Sequence, residues 1–96
     1  MTDIKRIIMI PPMEVRWTDR SGIVAVQIFT KWGAKTNSFT LSADKPVFSG
    51  TIEAKKITGK FTLMLYPGTP NKLVANEFYV EHFKGVQEYT GLLGTW

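Results

Sequence analysis

The sequence predicts an all-β domain, a small barrel or sandwich of about six to seven mostly antiparallel strands spanning residues 1–96. Three observations carry that expectation. The hydrophobic period is two almost throughout, β-branched and aromatic residues dominate the apolar positions, and Gly, Pro, Asn and Asp clusters recur about every ten residues.

Ile4 to Ile10 reads as a first strand, stopped by Pro11 and Pro12, which cannot continue a central ladder. Met13, Val15 and Trp17 alternate with Glu14 and Arg16, so this second strand has one dry face, and "TDRSG" closes it. The stretch "IVAVQIFTKW" differs: Val24, Val26, Ile28 and Trp32 fall on one side while Ile23, Ala25 and Phe29 fall on the other. Both of its faces therefore call for cover, from a second layer, a closed barrel or a partner subunit.

After "GAKTN", Phe39 and Leu41 share a face in "SFTLS", and "ADKP" turns the chain. In "VFSGTIEAKKI" the residues Phe48, Ile52 and Ala54 point inward, with Gly50 read as a bulge or bend. "TG" at 58–59 is expected to be the hairpin link into "KFTLMLY", where Phe61, Leu63 and Leu65 alternate with Lys60, Thr62 and Met64. "PGTPN" is the clearest turn. Beyond it Phe78 and Val80 oppose Glu77, Tyr79 and Glu81 in a strand, while Val86 to Leu92 fits a strand or a helical turn.

With 44% hydrophobic and 21% charged residues, the 96-residue chain is too apolar for intrinsic disorder and can bury one core. The absence of cysteine removes a disulfide framework and a thiolate metal cage, which favours an intracellular (cytoplasmic) or virion-associated setting. The N-terminal apolar run of Ile7 to Ile10 is shorter than the roughly 7 to 15 residues of a signal peptide. No stretch approaches the ~18 apolar residues of a membrane helix, so no membrane partner is expected.

Net charge is +4, unevenly spread. Residues 1–30 carry four cations against Asp3, Glu14 and Asp19; residues 31–72 carry seven lysines against Asp44 and Glu53; residues 73–96 carry Lys84 against Glu77, Glu81 and Glu88. A basic middle and an acidic end point to an anion-attracting face, or to complementarity between copies of the chain.

Little in the chain supports catalysis. His82 is the single histidine, so a metal site would have to be completed by carboxylates, and Glu77 and Glu81 fall on the opposite strand face. Those two glutamates share a face, but four residues of strand separate them by ~13 Å, beyond the reach of a glycosidase pair. No phosphate-binding glycine loop, nucleophile elbow or zinc-binding helix motif occurs. The protein is expected to be no enzyme and to take no cofactor or metal.

The remaining constellation is basic and aromatic. Lys31, Trp32 and Lys35 surround a Gly turn, and "IEAKKITGK" adds Lys55, Lys56 and Lys60 on a projecting hairpin. Small barrels that bind single strands combine such lysines with exposed rings, because phosphates supply affinity and base faces stack without sequence preference. The leading expectation is therefore non-catalytic nucleic-acid binding, with Trp32 as the stacking ring. Three lysines on phosphates would give a salt slope of roughly −2 and a loss of ~15-fold between about 50 and 200 mM salt.

Two other readings stand beside it. Lysines at turns also keep β-proteins soluble, and a protein-interaction or assembly module, such as a viral structural or inhibitor protein, would use strand 23–29 and the acidic C-terminal part as a homo-oligomer or partner interface. A small-ligand barrel would need a cavity lined by rings such as Phe61, Tyr66 and Phe78. The positions of Trp17, Trp32 and Trp96 discriminate the first two: an exposed Trp32 in a basic groove favours nucleic acid, and aromatics covered by a neighbour favour assembly. Trp96 needs something to dock on.

Overall fold

The computed structural model describes residues 4–96; Met1, Thr2 and Asp3, and with them the Asp3 charge, lie outside the described residues. Among the described residues eight strands follow one another: β1 (Ile4–Ile10), β2 (Met13–Arg20), β3 (Ile23–Thr30), β4 (Lys35–Leu41), β5 (Val47–Ala54), β6 (Ile57–Tyr66), β7 (Lys72–His82) and β8 (Gly85–Thr95). They form two four-stranded antiparallel meanders, β1-β2-β3-β4 and β5-β6-β7-β8. The all-β expectation holds, but the count is eight strands in two open sheets rather than six to seven in a clearly closed barrel. The extra strand comes from the C-terminal stretch, where Val86 to Leu92 pair with β7 instead of turning helically. Among the described residues no helix is long and apolar enough to cross a membrane.

The sheets face each other across one core. Alternation places Val15 and Trp17 of β2, Val24, Val26 and Ile28 of β3, Phe61 and Leu63 of β6, and Phe78 and Val80 of β7 on the inner faces, all buried. The four central strands thus supply most of the dry surface, while β1, β4, β5 and β8 cover its margins. Where the sheets meet along β4 and β5 there is no ladder; side chains close the gap. Phe39 stacks on Phe48 at 4.3 Å between centroids, and Asn37 Nδ2 donates to the Thr51 carbonyl at 3.0 Å. That amide occupies an acceptor that an incoming strand would otherwise use.

Three local expectations are corrected. β3 is dry on one side only: Ile23 is 55% exposed, Ala25 is exposed, and Phe29 lies beneath the Arg16 guanidinium at 4.3 Å. A cation over a ring face covers it without burying it in a second layer. The hairpin link lies at Lys55 and Lys56, with Ala54 paired to Ile57 and Lys56 at φ 64°, and not at Thr58–Gly59. Gly59 sits inside β6, where a Cβ would lie 2.1 Å from the Tyr79 carbonyl oxygen of β7. Gly50 is likewise no bulge; it pairs regularly with Phe61, whose ring would meet a Cβ at 2.9 Å.

The end of the chain docks on its own fold. The Trp96 ring lies 5.9 Å from that of buried Trp17, its Nε1 donates to Asp19 Oδ2 at 2.7 Å, and its backbone exchanges hydrogen bonds with Asn71. Gly94 leaves room for this, since a Cβ there would strike the Trp17 ring at 2.7 Å.

Candidate nucleic-acid interface

Antiparallel meanders return alternate loops to the same end, and here that end collects the β3–β4 loop and the β5–β6 and β7–β8 hairpins. The β3–β4 loop is tightly held. Thr30 N donates to the Ala34 carbonyl at 2.8 Å, Gly33 N to the Thr30 carbonyl at 2.9 Å, and Lys31 N to the Pro12 carbonyl at 2.8 Å. Gly33 takes φ 94°, a conformation that favours glycine. These constraints end β3 at Thr30 and put Trp32 outside the strand, so it does not share the face of Val24, Val26 and Ile28 as the alternation suggested. It projects instead, 60% exposed, from a backbone with little freedom.

Across the gap between the sheets stands Phe83, 67% exposed in the two-residue hairpin between β7 and β8. Trp32, Ala34, Ala54, Ile57 and Phe83 line a cleft of about 370 Å³, with Thr30, Lys55 and Lys56 completing it. Its walls are mainly apolar, and among the described residues no carboxylate lines it. Each ring carries its own lysine: Lys31 Nζ lies 4.9 Å from the Trp32 ring centroid and Lys84 Nζ 5.7 Å from that of Phe83. Four ammonium groups and two open rings thus stand at one end of the molecule.

Of the six residues singled out in the sequence, Lys31, Trp32, Lys55 and Lys56 come together here. Lys35 starts β4 beside the loop but pairs with Phe29, outside the cleft lining. Lys60 is elsewhere: it projects from the outer face of β6 and its Nζ lies 3.4 Å from Glu77 Oε1. Phe83 and Lys84 escaped the sequence reading, although "FKG" repeats the aromatic, lysine and glycine content of "KWG".

Tyr79 donates to a Glu81 carboxylate oxygen, and that bond raises the phenol above its ordinary range. His82 Nδ1 accepts from Lys84 N at 3.4 Å, which helps set the Phe83–Lys84 turn. Among the described residues no three histidines or carboxylates gather as metal ligands. The rings proposed for a ligand cavity do not share one: Phe61 and Phe78 pack together in the core at 6.2 Å, while Tyr66 lies on the outer face with its hydroxyl toward Met64 Sδ.

What this end offers chemically is a hydrophobic slot with planar aromatic walls and a positive rim, suited to a flat apolar group attached to an anion. No family model, curated protein or solved structure matches this chain.

Proposed function

We propose that the protein binds single-stranded nucleic acid, without catalysis and with little sequence preference, at the cleft between the β3–β4 loop and the β5–β6 and β7–β8 hairpins. Trp32 and Phe83 are the stacking rings, and Lys31, Lys55, Lys56 and Lys84 are the phosphate contacts. One observation carries this reading: two aromatic rings, each more than half exposed, flank an apolar cleft whose lining, among the described residues, has lysines and no carboxylate. Exposed aromatics are expensive on a surface unless they meet a partner, and a base is a partner with an apolar face and an attached negative charge. Lys35 extends the positive margin along β4, whereas Lys60, neutralised by Glu77, has no part in it.

Fluorescence anisotropy of a labelled oligothymidylate provides the test. Four phosphate contacts on a single strand correspond to a slope of log K against log salt of about −2.8, which is a loss of roughly 50-fold between about 50 and 200 mM salt. A slope near zero, or no saturable binding at the lower salt, would contradict the proposal.

A further inference from the structure

We infer that copies of this chain exchange sheets, so that the β1–β4 meander of one copy packs on the β5–β8 meander of a second copy. Each cleft of such a dimer is then shared by two chains, a consequence that rests on the nucleic-acid reading of the cleft.

Connectivity permits the exchange. Strands β1 to β4 form ladders with one another, as do β5 to β8, and no ladder joins the two sets. The loops respect the same division: Lys31 N donates to the Pro12 carbonyl within the first half, and Asn71 and Trp96 exchange backbone bonds within the second. Among the described residues no backbone hydrogen bond joins residues 4–41 to residues 47–96. Each half is complete in its own backbone pairing.

Side chains hold the halves together. Val15, Val26 and Ile28 of the first sheet and Phe61, Leu63 and Phe78 of the second belong to one buried core. Asn37 Nδ2 reaches the Thr51 carbonyl, and Trp96 Nε1 reaches Asp19 Oδ2. A sheet with a bare hydrophobic face must cover it, and all of these contacts are made equally well by the matching half of another copy. The interface already present inside the chain therefore names the partner.

The linker decides which copy supplies the half. Residues 42–46 turn the chain from one sheet to the other, closed by Ser42 N to the Lys45 carbonyl and Lys45 N to the Ser42 carbonyl, both at 3.1 Å. Pro46 acts against that turn, since it fixes its own φ and keeps Lys45 out of the helical region, favouring an extended path. Opened out, five residues span up to roughly 17 Å. The core is the same in both forms, so the balance lies between these turn bonds and the effective concentration of the chain's own half, which is millimolar for a linker this short.

The cleft gives the exchange a consequence for binding. Its Trp32 and Ala34 come from the first half, and its Lys55, Lys56 and Phe83 from the second. In the exchanged dimer Trp32 of one chain faces the hairpins of the other, and two clefts are tied together, which strengthens the hold on a strand long enough to reach both.

Refolding from urea tests this. Wild type refolded at about 1 mM should give, by size exclusion with light scattering, a dimer that survives dilution to about 1 μM and decays only as fast as the fold unfolds by circular dichroism. A variant lacking residues 43–45 has two residues left to turn the chain between sheets about 10 Å apart, and should be dimeric even at about 1 μM. Trp32→Ala and Phe83→Ala, each alone, should weaken oligothymidylate binding at least about 5-fold. Refolded together at about 1 mM, they should regain wild-type affinity in about a quarter of the dimer's clefts, because half of the dimers are mixed and each mixed dimer unites the intact loop of one chain with the intact hairpin of the other. Wild type that stays monomeric, a dimer that falls apart at once on dilution, a folded but monomeric deletion variant, or two variants weak alone and still weak after joint refolding would each overturn the inference. Should the deletion variant fail to fold, the lifetime of the wild-type dimer decides. Single variants that bind as tightly as wild type would sink the cleft reading instead, and the same lifetime would still decide the exchange.

Discussion

Phe61→Ala is expected to lower the stability of the fold by about 3 to 5 kcal/mol, as measured by urea unfolding followed by circular dichroism. Phe61 is buried at the junction of the two sheets, and its ring stacks at 5.5 Å on Phe39 of β4 and at 6.0 Å on Phe48 of β5, and lies tilted at 6.2 Å from Phe78 of β7. Gly50 lies against it without a side chain, so the space left by the ring is bounded by other rings and cannot collapse cheaply. Because no ladder joins β4 to β5, this aromatic stack is a main connection along that seam. Domains of this size hold only about 5 to 15 kcal/mol in all, so the variant should lose a large share of its stability. A change under about 1 kcal/mol would show that the sheets are held together by something else.

The second large effect concerns binding. Trp32→Ala combined with Phe83→Ala is expected to weaken oligothymidylate binding at least about 30-fold, since a base stacked on an aromatic ring contributes about 1 to 3 kcal/mol. Both rings are mostly exposed and lie outside the core, so the urea midpoint should hardly move. The salt slope should also be retained, because all four lysines remain. Lys55→Ala combined with Lys56→Ala should show the converse, reducing the slope by about 1.4 while sparing the rings. Equal loss of affinity and slope in both variants would mean that the cleft acts only as a diffuse positive charge.

The contrast between what the chain sequence disclosed and what it hid has a physical basis. Alternation along one strand is a local property, so the inward residues of β2, β6 and β7 were legible, as was the "PGTPN" turn. Gly59 was misleading because "TG" carries the signal of a tight turn, whereas its glycine is required by a carbonyl of β7 that only tertiary pairing brings near. Ile23, Ala25 and Phe29 looked like a second buried face because the side chain that covers Phe29 is an arginine from the neighbouring strand.

Charge was the least legible property, because strands send successive residues to opposite faces. The lysines of the middle segment split accordingly, with Lys55 and Lys56 at the cleft and Lys60 against Glu77. In the first segment Asp19 accepts from the Trp96 indole and Glu14 pairs with Arg16, two local partnerships that a segment sum does not show. Phe83 went unrecognised because an exposed ring at the end of an apolar strand reads as one more core position until the hairpin boundary is known.

Chemical-shift mapping tests the central claim most directly: oligothymidylate is titrated into isotopically labelled protein at low salt while the backbone amides and the three indole N–H signals are followed. The account expects saturable shifts confined to residues 31–34, 54–57 and 83–85, with the Trp32 indole moving and those of Trp17 and Trp96 still. Shifts centred on the outer sheet faces around Ala25 or Glu88, or a spectrum that does not change with oligonucleotide, would contradict it.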